Sequence, residues 1–141
     1  MTLAAAIIVD AVASRLEPMA QTNGRVYTSR GWPIDEASLP CWRVTAEDEQ
    51  VTQAQIDGVN QHSLAVSARA YALATADLDD TLHALAASGL ALMFEDIPPY
   101  GLQLDSIERQ LATEGEAAVG VITLNTRATY FVAPAQPETI I

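Results

Sequence analysis

Lysine does not occur in this chain of 141 residues; its positive charge rests on seven arginines, at positions 15, 25, 30, 43, 69, 109 and 127. Against 18 carboxylates they leave a net charge of −11. So acidic a protein cannot gain affinity by neutralising phosphates, which excludes a sequence-reading DNA binder. Aromatic residues make up only 6% and do not interleave with the arginines, so a stacking platform for single strands is disfavoured. One cysteine, Cys41, can make no internal disulfide and belongs to no CxxC pair, which removes disulfide scaffolds and zinc ribbons. No apolar run reaches the roughly 18 residues of a membrane span. The stretch Leu3 to Val9 is apolar, but it lacks a basic leader, is broken by Asp10 and shows no small-residue cleavage site before Pro18. The expectation is a soluble chain made in the cytoplasm, with neither export nor membrane contact.

Half the residues are apolar and 18% are charged, enough to build one hydrophobic core and too little chain for two. Residues 1–141 therefore read as a single domain, with 133–141, which contains Pro134 and Pro137, as a mobile tail.

Leu3, Ile7, Ile8, Ala11, Val12 and Leu16 recur at helical spacing behind a capping Thr2, and Pro18 stops the helix. After the Asn23-Gly24 turn, Arg25 to Ser29 reads as a short strand. Beyond the Gly31 to Pro40 loop, Cys41 to Thr45 alternates as a second strand. The acidic, amide-rich segment Glu47 to Asn60 is either a long connection or a protruding hairpin tip. His62 to Leu73 is a long strand, with Leu64, Val66, Ala68, Ala70 and Ala72 on one side and Ser63, Ser67, Arg69 and Tyr71 on the other. Thr75-Ala76-Asp77 opens a second helix, with Asp79 and Asp80 at its positive end and Gly89 weakening its finish. Leu102 to Thr113 is ambiguous: the spacing of Leu104, Ile107 and Leu111 favours a helix, while the flanking turns suit a strand. Val119 to Val132 alternates again as a second long strand. Strands joined by turns imply an α+β fold, a single mainly antiparallel β-sheet with two amphipathic helices packed on one face.

Candidates for chemistry are few. His62 and His83 do not form a ligand set, since no spacing supplies a third ligand beside Asp79 and Asp80, so no metal is expected. Cys41 and His62 could be imagined as a nucleophile and its base, but a lone cysteine in a strand is usually a small buried hydrophobe. GxSxG, GxxxxGK, GxGxxG and HExxH do not occur, and the reading is of a protein that is not an enzyme and takes no cofactor. The alternative from another class is a small α+β ligand-binding domain or enzyme using His62, His83 and Cys41.

Three stretches together carry a likeness. Arg25-Val26-Tyr27-Thr28-Ser29-Arg30 runs into Pro33, Glu36 and Leu39-Pro40 and is followed by a strand and an acidic turn. Glu114-Gly115-Glu116 leads into Val119-Gly120-Val121, Leu124 and Thr129-Tyr130. The strand from His62 and the helix begun by Asp77-Leu78-Asp79 fall between them. This order resembles the tail terminator proteins of long-tailed bacteriophages, the minor tail protein U-like family. The resemblance implies a small α+β domain in which Leu102 to Thr113 is a strand of the closing hairpin, and a structural role in the virion. Subunits of that family form a ring, usually six, on the head-proximal end of the tail tube; the ring stops tube polymerisation and presents a surface to the head–tail connector protein. The expected partners are therefore further copies of the chain, the tail tube protein and the connector. Another head–tail joining or tail completion protein is the neighbouring alternative.

For subunit contacts the sequence offers Arg30 and Trp32, an arginine and a tryptophan close together in a Pro/Gly loop. It also offers Glu47, Asp48 and Glu49 at the start of the long polar segment. Six copies at −11 each would carry about −66, a field that would let DNA pass through a ring without sticking; the same acidity also serves solubility.

Overall fold

The computed structural model describes residues 3–31, 34, 36–53, 58–95, 101–114 and 117–141. Helix α1 (Ala4–Leu16) is followed by strands β1 (Val26–Tyr27), β2 (Cys41–Gln53) and β3 (Asn60–Leu73), helix α2 (Leu78–Met93), and strands β4 (Gln103–Glu114) and β5 (Ala117–Val132). The strands form one five-stranded sheet in the order β1-β2-β3-β5-β4. Only β1 runs parallel to its neighbour; the other pairings are antiparallel. The fold is α+β, with both helices on one face.

Strand alternation places the core. Leu64, Val66, Ala68, Ala70 and Ala72 of β3 and Ile122, Leu124, Ala128, Tyr130 and Val132 of β5 are all buried in one cluster with the inward stripes of α1 and α2. Trp42 of β2 is fully buried among them, and its indole N–H donates to the Met19 sulfur at 3.3 Å. Gly89, read from the sequence as a weak point near the end of α2, is instead a contact point: a Cβ there would lie 2.7 Å from the Trp42 ring, and the helix continues to Met93. The second face carries a smaller cluster of Ile34, Cys41, Tyr71, Val119 and Val121 at one end, with Tyr27 and Leu39 against it. Among the described residues no helix covers the rest of that face.

The segment Leu102 to Thr113 is strand from Gln103 on, as the family resemblance implies and against the helical spacing. The pairing of β4 with β5 shifts between Leu104 and Ser106, so that Asp105 is an extra residue. Across the strand Leu104 faces Thr126, Ile107 faces Leu124 and Leu111 faces Gly120, all on the helix-bearing side. A bulged strand thus places apolar residues at i, i+3 and i+7 on one face and imitates a helix.

At the chain ends, Leu3 takes the N-cap position of α1 in extended conformation without a side-chain cap; Thr2, read as that cap, lies outside the described residues. The Ala4 amide donates to the Pro137 carbonyl at 2.8 Å, the Ile141 amide to the Phe131 carbonyl at 2.9 Å, and Ile140 packs against the core. The segment expected to trail as a mobile tail folds back and satisfies one of the amides that every helix start leaves open.

Candidate functional site

Glu47, Asp48 and Glu49 belong to β2, whose ladder with β3 runs as far as Gln53 and Asn60; of the two sequence readings the hairpin holds, with β3 paired to β5 up to Asn60 and Val132, and residues 54–57 at its tip lie outside the described residues. The β2–β3 register shifts between Ala46 and Glu49, so two residues of β2 stand opposite Ala65 alone. The acidic triplet is thereby divided between the two faces.

On the face without helices, Glu47 accepts from the Thr45 hydroxyl at 2.8 Å, from Arg30 at 2.9 Å and from Arg69 at 3.3 Å. Burial pushes its carboxyl up, but the Thr45 hydrogen bond and then the Arg30 and Arg69 charges together outweigh that and hold it below the usual glutamate range. Arg30 also donates to the Ala46 carbonyl on the outer edge of β2, beyond the two residues that β1 pairs. An arginine bonded to an open edge blocks further strand pairing there. The structure therefore joins two of the proposed contact residues, Arg30 and Glu47, and adds Thr45 and Arg69. Trp32 lies outside the described residues, and Asp48 is the exposed residue of the bulge.

On the helix-bearing face, Glu49 accepts from His62 Nδ1 at 2.8 Å and from the Tyr130 hydroxyl, while His62 and Tyr130 stack with centroids 5.0 Å apart. Burial, then the hydrogen bond and charge of Glu49, push the Tyr130 phenol above its usual range. Leu3, Ala4, Val132, Pro134 and Pro137 wall a cavity of about 130 Å³ beside this cluster. The His62 and Tyr130 pairing was accessible from strand parity once β3 and β5 were known to be neighbours; Glu49 was not, because the bulge resets its face.

Cys41 is fully buried on the opposite face, nine residues along β3 from His62, or roughly 30 Å at strand rise, so the thiol–imidazole pair is ruled out. His83 accepts from Arg109 of β4 at 3.0 Å. No group of three or more histidine, cysteine or carboxylate side chains among the described residues is placed to hold a metal ion, and no described helix is long and apolar enough to cross a membrane.

The remainder of the open face is a polar lattice. Thr45, Ser67, Asn125 and Ser106 stand in one row across four strands, Ser67 donating to Asn125 at 3.2 Å and Asn125 to Ser106 at 3.0 Å. In the next row Arg43 lies opposite Arg69 and stacks over Tyr71 at 5.4 Å. On the other side Arg127 pairs with Asp105 at 3.1 Å. No model of a known protein family matches the chain, and no curated protein matches it.

Proposed function

We propose that this chain is a structural subunit of a phage tail, a terminator that forms a ring, usually of six, on the head-proximal end of the tail tube, stops its growth and offers the joining surface to the head connector. The observation that carries the reading is the one-sided layering. A sheet of long strands buries one face under two helices, and among the described residues no helix covers the other, where arginines and carboxylates lie over the buried hydroxyls of Thr45, Ser67 and Thr123. A further edge is presented by β4, where Leu111 is 73% exposed. Such a chain has surface left over for contacts with other chains. The sequence resemblance supplies the identity of those chains, and the strand at 103–114 agrees with it.

A subunit that stops a tube must match its last ring on one side and present no copy of that side on the other. The fold meets the physical requirement of two unlike faces, a helix layer and an open sheet. Electron microscopy of tail tubes assembled with and without the protein tests the reading.

A further inference from the structure

The two edges of the sheet differ. On one side β1 covers only Trp42 and Arg43 of β2, Arg30 takes the Ala46 carbonyl just beyond, and the bulge of Glu47 and Asp48 bends the strand that follows. On the other side β4 is outermost, and after its bulge at Asp105 it pairs with β5 without interruption from Ser106 to Glu114. That regular stretch contains neither proline nor lysine, and among the described residues no strand lies along its outer side. Its outward amide and carbonyl groups have no sheet partner, which makes it a template for a further strand. The helix layer stops short of this edge: α2 packs over β3 and β5 and reaches toward β4 with the bond between His83 and Arg109. Leu104 and Leu111, both on the helix-bearing side of β4, are consequently 39% and 73% exposed, with Ile107 half-buried between them.

We propose that β4 pairs with β4 of a second copy of this chain, antiparallel about a two-fold axis at Gln110, so that two five-stranded sheets become one with both helix layers on the same side. The sequence of the edge selects this register. Residues directly opposite in an antiparallel pair share a face, and like charges there are unfavourable. An axis at Glu108 or at Arg109 sets that residue against its own copy, and an axis at Leu111 sets Glu108 against Glu114. The axis at Gln110 opposes Ser106 to Glu114, Ile107 to Thr113, Glu108 to Ala112 and Arg109 to Leu111, leaving like charges only on diagonals, and it alone uses the whole regular stretch. Each Leu111 then lies against the aliphatic stem of the opposite Arg109 and diagonal to Ile107 and Leu111 of the other copy, so the exposed apolar side chains of the two edges cover one another between the two α2 helices. The contact is isologous and closes at two copies. A cyclic ring is built from head-to-tail contacts, so this pairing belongs to the free subunit and does not rest on the terminator reading.

The test is sedimentation equilibrium of the free protein at physiological ionic strength, joined to cross-linking through introduced thiols. All the substituted positions are exposed, and circular dichroism melts check that each variant folds. The wild type is expected to be a dimer. Leu111→Arg sets a like charge opposite Arg109 twice in each dimer, and its dissociation constant is expected to rise at least about tenfold. Two further variants read the register. Gln110→Cys places a thiol against its own copy at the axis, whereas in Glu108→Cys the two thiols stand about 13 Å apart along the ladder, too far to join. The native Cys41 is fully buried and does not compete. Oxidation is expected to link Gln110→Cys into a covalent dimer and to leave Glu108→Cys unlinked. A wild type monomeric into the millimolar range, a dimer indifferent to Leu111→Arg, equal linking of the two cysteine variants, or free protein that assembles beyond two copies would each overturn the pairing. No tail tube enters the experiment, so its failure leaves the terminator reading standing, whereas tubes left uncapped by a protein that dimerises in this register would remove that reading and keep the pairing.

Discussion

Glu47 and Glu49 are two residues apart on one strand yet serve opposite faces of the sheet, Glu47 bonded to Arg30 and Arg69 and Glu49 to His62 and Tyr130. In a regular strand residues at i and i+2 share a face. The bulge that includes Asp48 reverses that relation, and both carboxylates find partners because of it. Deleting Asp48 is therefore expected to restore a regular ladder with Glu47 and Glu49 still on their present faces. The cost should be within about 1 kcal/mol in a urea unfolding curve. Deleting Thr45 instead would shift the preceding strand residues by one face and should unfold the chain. Equal losses for the two deletions would contradict the register.

Gly89 and Trp42 give a substitution whose sign runs against helix propensity. Alanine in place of glycine inside a helix ordinarily gains about 1 kcal/mol. Here the new methyl would stand 2.7 Å from an indole with no exposed surface, which cannot swing away. Gly89→Ala is expected to lower stability by about 1 to 3 kcal/mol. A raised melting temperature would show that the helix can move off the sheet.

The Glu47 cluster predicts an acid dependence. Its carboxyl is held below the ordinary range when folded, so the cluster's contribution is fully present above the unfolded value and is lost as pH falls through the folded one. Wild type should be more stable than Glu47→Gln at neutral pH. The difference should shrink as the pH drops below about 4, where the unfolded carboxyl also takes up its proton. A gap that stays constant from neutral pH to strong acid would mean that the Arg30 and Arg69 contacts do not depend on ionisation.

Most of the fold was legible because strand parity is a local signal. The inward sets of β3 and β5, the acidic first turn of α2 and the one-sided helix layer all follow from spacing. What escaped the periodicity depends on single inserted residues. Asp105 made β4 look helical by bringing Leu104 and Ile107 to one side, and the Glu47–Asp48 bulge hid the partnership of Glu49 with Tyr130. Gly89 read only as a weakening of the helix end because its reason for being small lies on β2, 47 residues earlier in the chain at Trp42. The docking of 133–141 was equally hidden, since a carbonyl that caps a distant helix leaves no side-chain signature. Of the candidate contact residues, Arg30 and Glu47 meet as a pair, but their joint role in sealing the β2 edge could be seen only with the strand in place.

The terminator account is tested most directly by electron microscopy of purified tail tube protein assembled with and without this chain. The account predicts tubes of restricted length in its presence, each carrying a ring of added density at one end, with the count of subunits given by the symmetry of that ring. Tubes that grow to the same lengths with bare ends in the presence of excess protein would contradict it.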